Sequence, residues 1–125
     1  MKKLTLILGL LFCSHITAEI ELIDASALKK RIENPDNSFI LLDVRTVKEY
    51  QSGHIKDSIN IPHAQLIQNI NLLDQYRDQP IVVFCRSGRR AQLVIDTLIE
   101  NKFDQIVDLE GDMLVWETSE FPVVQ

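Results

Sequence analysis

Cysteine is scarce in this chain: Cys13 and Cys85 are the two among 125 residues. No Cys-x-x-Cys pair occurs, which excludes the dithiol chemistry of a thiol–disulfide oxidoreductase. Histidine is limited to three, and no cluster shows metal-ligand spacing, so no metal site is expected. Basic charge is short as well. Thirteen Lys and Arg against 18 Asp and Glu leave a formal net charge of −5. Nucleic-acid binding needs a basic face to neutralise phosphates, and a chain this acidic does not offer one in general. There is no internal repeat, low-complexity tract or linker. What remains is one domain's worth of chain with an ordinary globular balance, 46% hydrophobic and 25% charged.

The apolar stretch Leu4 to Phe12 is too short to cross a bilayer as a helix, so no membrane span is expected. Lys2 and Lys3 precede it, and Ile16-Thr17-Ala18 follows it. That order of lysine, apolar core and small residue is the pattern of a secretory signal, cut after Ala18. The reading assigns residues 1–18 to a signal peptide and residues 19–125 to the mature domain, and places the protein in the periplasm or outside the cell. Acylation of Cys13 is the alternative, disfavoured because bulky Phe12 stands where lipoprotein cleavage wants a small residue. Cleavage after Ala18 removes Cys13 and leaves Cys85 as the only thiol, with no internal disulfide partner in an oxidising compartment.

Apolar strand-like runs alternate with helical patterns, the sign of a parallel α/β sheet. Strands are expected over Glu19–Ile23, Phe39–Val44, Ser58–Ile61, Ile81–Phe84 and Gln105–Leu109. Helices are expected from an Asp24 cap to about Asn34, over Thr46–Gln51, Gln65–Leu73 and Arg89 to about Asn101, and after Gly111 around Met113 and Trp116. Ligands in such sheets sit at the carboxyl ends of the strands. Cys85 falls at one such end.

The loop Cys85-Arg86-Ser87-Gly88-Arg89-Arg90 carries the most information. Half of the six arginines crowd into five residues beside the cysteine. Helix N-termini and nearby cations lower a thiol pKa from about 8.5 into a range of roughly 3.5–7.5. Gly88 permits the left-handed backbone that lets successive N–H groups converge on an anion. A lone cysteine after Val-Val-Phe also fits a small core residue. A packed core, however, needs no guanidinium cluster, and cations at a helix N-terminus oppose the dipole unless an anion compensates them. The loop therefore reads as an anion-binding thiolate site.

The ordered landmarks resemble a rhodanese-type sulfurtransferase domain, in its small periplasmic thiosulfate sulfurtransferase form. They are Leu41-Leu42-Asp43-Val44-Arg45, Glu49-Tyr50-Gln51-Ser52-Gly53-His54-Ile55, Ser58-Ile59-Asn60-Ile61-Pro62, the Cys85–Arg90 loop and Gly111-Asp112-Met113-Leu114-Val115-Trp116. Asp112 departs from the pattern, standing where the family commonly has a second glycine. The resemblance implies an α/β fold with a central parallel five-stranded sheet and helices on both faces. It implies a thiosulfate sulfurtransferase acting through a Cys85 persulfide. Arg86, Ser87, Gly88, Arg89 and Arg90 would bind the small anionic sulfur donor, and cyanide or a thiol would accept the sulfur. No organic cofactor or metal is called for, and a monomer is expected. Asp43 and Arg45 would brace the loop or form a structural pair. His54 would stabilise the fold, and Trp116 belongs to the core.

Two rivals remain. A cysteine-loop phosphatase or arsenate reductase needs Cys, five residues, then Arg, and here Ala91 holds that last position. A persulfide-carrying or binding module would share the loop and serve a partner protein.

Overall fold

The computed structural model describes residues 2–3, 9–12 and 19–125. The expected signal segment, with Cys13 and the Ala18 cleavage point, lies largely outside the described residues. Five strands, β1 (Ile20–Ile23), β2 (Ile40–Asp43), β3 (Ile59–Asn60), β4 (Ile81–Phe84) and β5 (Ile106–Leu109), alternate with five helices. The helices are α1 (Ala25–Glu33), α2 (Val47–Ser52), α3 (His63–Gln68), α4 (Arg89–Glu100) and α5 (Asp112–Thr118).

The strands form one parallel sheet in the order β1-β5-β4-β2-β3, the architecture expected from the sequence. β4 is central, and its four residues Ile81, Val82, Val83 and Phe84 are all buried, as a strand covered on both faces must be. Alternation along the strands divides the core. Leu42, Ile81 and Val83 pack with Leu66, Val94, Ile95 and Leu98 on one face. Leu41, Val82 and Phe84 pack with Leu28, Met113 and Trp116 on the other.

Local chemistry explains the element ends. Asp24 caps α1 by accepting the Ala27 amide. Thr46 and Glu49 form a capping box that starts α2. The expected single helix over Gln65–Leu73 is instead two pieces. Asn69, at φ −137° and ψ 57°, ends α3, and a 3₁₀ helix runs over Ile70–Tyr76. Apolar spacing carries through the break, because Leu66 and Leu73 both reach the core, so periodicity alone does not reveal it. His54 serves the fold as expected. It pairs with Val124 in an isolated bridge, its Nδ1 lies 2.8 Å from the Tyr50 carbonyl, and its ring stacks on Tyr50. Trp116 is buried, and its indole N–H donates to the Pro122 carbonyl.

β2 leads through α2 to β3 on one side, while β4 leads through α4 to β5 on the other. The carboxyl ends of β2 and β4 thus form a switch point, where the connections diverge and leave a crevice. Asp43 is level with Phe84 across it, so Val44-Arg45 and Cys85-Arg86 leave the sheet side by side.

Candidate active site

Cys85 follows the last residue of β4 and is 1% exposed. The next residues turn back so that the Gly88 amide donates to Cys85 Sγ at 3.0 Å. Gly88 has φ +109°, a left-handed conformation, and serves as N-cap of α4. The amides of Arg86, Ser87, Arg89 and Arg90 have no acceptor among the described residues. Free N–H groups at the start of a twelve-residue helix are the kind of group that can hold an anion. α5 holds the loop from its other side: Met113 and Leu114 donate their amides to the carbonyls of Cys85 and Arg86.

The three arginines have different situations. Arg86 and Arg89 are exposed, and neither has an ion-pair partner among the described residues. Arg90 is turned to α2, where Nη1 and Nη2 donate to Glu49 Oε1 and Oε2 at 2.6 and 3.0 Å. The hydrogen bond from Arg90 holds the Glu49 carboxyl down at about 2, against the opposing effect of burial and with help from Thr46. Glu49 in turn raises the pKa of Arg90. The Arg90 side chain therefore fastens the loop helix to α2, while its backbone amide has no acceptor among the described residues. Ser87 is exposed at the loop crest.

Asp43 and Arg45 lie outside the loop but frame it. Asp43 is fully buried and Arg45 is 4% exposed. The Arg45 side chain donates to both Asp43 carboxylate oxygens, and Nη2 reaches the Gly53 carbonyl at 2.8 Å. Asn60 spans from β3 to the carbonyls of Asp43 and Arg45. Arg45, Glu49, Ser52, Gly53, Arg86 and Glu117 line a cleft of about 340 Å³ beside the loop. A cleft of about 470 Å³ lies at the other end of the sheet, near Ile20, Pro80 and Gln105, away from Cys85.

Two contacts are not assigned by sequence reasoning. Glu49 sits in a recognisable motif, yet its partner is 41 residues away and is identified only by the fold. Asp112 is 4% exposed, and its Oδ1 accepts the Cys85 amide at 2.9 Å. Its residue type was the signal, being an acidic side chain in place of an expected glycine. Its φ of +52° is the left-handed backbone that glycine adopts freely. Burial raises the pKa of Asp112 foremost, and hydrogen bonds from Cys85 oppose the rise.

A cysteine-bearing loop at the switch point of a five-stranded parallel sheet defines an α/β domain, with Cys85 the free cysteine among the described residues. The rhodanese-like domain model matches residues 24–119, and the chain belongs to that family. It is 28% identical over 102 residues to a sulfurtransferase of Allochromatium vinosum, covering 82% of this chain and 92% of that one. It is 28% identical over 103 residues to a putative sulfur carrier protein, YrkF, of Bacillus subtilis. That match covers 82% of this chain and 54% of the Bacillus protein, so the chain spans about half of that relative. Among solved structures, a rhodanese-related protein of Thermoplasma volcanium superposes with a TM-score of 0.72 at 33% identity, covering 83% of this chain and 97% of that one. Among the described residues, no helix is long and apolar enough to cross a membrane.

Proposed function

We propose that the protein is a thiosulfate sulfurtransferase that works through a persulfide on Cys85. The observation carrying this reading is the 3.0 Å contact from the Gly88 amide to Sγ, in a loop where the amides of Arg86, Ser87, Arg89 and Arg90 lack acceptors and the side chains of Arg86 and Arg89 lack ion-pair partners among the described residues. The Cys85 thiolate attacks the outer sulfur of thiosulfate. The S–S bond of the donor breaks, and sulfite leaves with its electron pair. Cyanide or a thiolate then attacks the outer sulfur of the persulfide, and Cys85 is released as thiolate. Atoms and charge balance in both steps with no metal or organic cofactor. The amide nest stabilises the anion that each step leaves on the loop. The sulfurtransferase and sulfur carrier among the relatives support the reaction class.

The six-residue loop favours this reading over a phosphatase, because Arg90 comes one position early for tetrahedral oxyanion chemistry and its side chain is on Glu49. Residues 1–18 are proposed to direct the domain to the periplasm or out of the cell, where it acts as a monomer. The test is thiocyanate formation from thiosulfate and cyanide by the mature domain. The wild type is expected to turn over and Cys85→Ser to be inactive, with Arg86→Ala and Arg89→Ala raising KM for thiosulfate. Turnover surviving in Cys85→Ser, or hydrolysis of aryl phosphates without sulfur transfer, contradicts the proposal.

A further inference from the structure

Asp112 places a carboxyl group under the Cys85 loop that sulfur transfer does not call for. Oδ1 accepts the Cys85 amide, and Oδ2 lies 3.0 Å from where a Cβ on Gly88 would stand. The carboxyl therefore reaches from the first loop residue to the fourth. Cys85 Sγ accepts a hydrogen bond from the Gly88 amide, so the sulfur and the carboxyl both lie against Gly88. The side chain is 4% exposed, and its backbone is held in the left-handed region. A purely structural turn would be met at lower strain by glycine.

Arg86 and Arg89, without ion-pair partners among the described residues, attract anions from outside, whereas Asp112 opposes them from within once the pH is above its burial-raised pKa. The opposition scales with the charge of the bound group, since Coulomb energy is a product of charges. A dianion meets twice the penalty of a monoanion at the same place. Resting on the sulfur-transfer reading, we propose that Asp112 is a specificity-determining residue. Its carboxylate biases Cys85 toward sulfane-sulfur donors with a single negative charge, such as organic thiosulfonates, over dianionic donors. With a thiosulfonate, the Cys85 thiolate takes the outer sulfur, the S–S bond breaks, and a sulfinate leaves with the electron pair.

The experiment compares thiosulfate with methanethiosulfonate as donors to cyanide, in the wild type and in Asp112→Asn. The amide oxygen of Asn still accepts from the Cys85 N–H, so the substitution removes charge and keeps the bond. kcat/KM for methanethiosulfonate is expected to rise roughly threefold and that for thiosulfate by roughly the square, near tenfold. Asp112→Gly is expected to move the ratio of the two donors in the same direction, and it carries the test if Asn does not fold. A role confined to the turn changes both donors by one factor, and an unchanged ratio in the folded variants overturns the proposal. Absence of transfer from either donor in the wild type, or transfer that survives Cys85→Ser, overturns the underlying sulfur-transfer reading instead.

Discussion

Glu49 and Arg90 meet in a two-pronged ion pair at 2.6 and 3.0 Å, joining α2 to the first turn of the helix that follows the cysteine loop. The same Glu49 closes the capping box with Thr46. One carboxylate thus starts one helix and restrains another. The pair is part-buried, so solvent screening limits its worth to about 1 kcal/mol.

Glu49→Gln tests the pair through pH. The Glu49 pKa is lowered from 4.5 to about 2 on folding. A depressed carboxylate contributes stability that is fully present above the unfolded value and fades as pH falls through the folded one. The stability gap between wild type and Glu49→Gln is therefore expected to be constant above about pH 5 and to close between pH 4.5 and 2. Urea unfolding across that range measures it. A gap independent of pH contradicts the assignment.

Breaking the buried pair of Asp43 and Arg45 is expected to be far more damaging. Removing one partner leaves the other charged and buried, which costs about 3–5 kcal/mol. Arg45→Met should destabilise the domain by that amount in chemical denaturation, because Asp43 is fully buried and also loses its brace to Gly53 through Arg45. A loss below about 1 kcal/mol would indicate that the pair behaves as an exposed one.

Gly111→Ala meets a steric obstacle at the turn that carries Asp112. An added Cβ lies 2.1 Å from Val115 Cγ2, and φ is +79°. The expected loss exceeds about 1 kcal/mol. Adding Val115→Ala removes the clash but not the backbone strain, so the double variant should recover part of the loss. Full additivity in a double-mutant cycle would show that the two positions do not meet.

Gly88→Ala tests the loop itself. The new Cβ would crowd the Asp112 carboxylate at 3.0 Å, and φ of +109° is unfavourable for alanine. The Gly88 amide would then lose its alignment on Sγ. Sulfur-transfer kcat is expected to fall at least tenfold, with a smaller change in the thermal midpoint. An unchanged kcat would show that the 3.0 Å contact to the sulfur plays no part in turnover.

The sheet and its central strand are legible in the sequence because local pattern determines them. Ile81-Val82-Val83-Phe84 is apolar throughout, short, rich in β-branched residues and preceded by Pro80, which fits a strand covered on both faces. The Cys85 loop is legible for the same reason, lying between that strand and a periodic helix. The break at Asn69 is not, since Leu66 and Leu73 keep the apolar rhythm across it. Nor are the side-chain partners. Arg86, Arg89 and Arg90 look alike in sequence, and only the fold, which brings the start of α4 within side-chain reach of α2, commits Arg90 to Glu49. Asp112 is visible as an oddity, but its bond to Cys85 spans 27 residues and requires the fold.

Intact-mass spectrometry of the mature domain after exposure to thiosulfate, followed by cyanide, tests the central claim most directly. The account predicts one added sulfur atom per chain, located on Cys85 by peptide mapping, absent in Cys85→Ser and removed by cyanide with formation of thiocyanate. A chain that gains no sulfur, or gains it equally in Cys85→Ser, would contradict it.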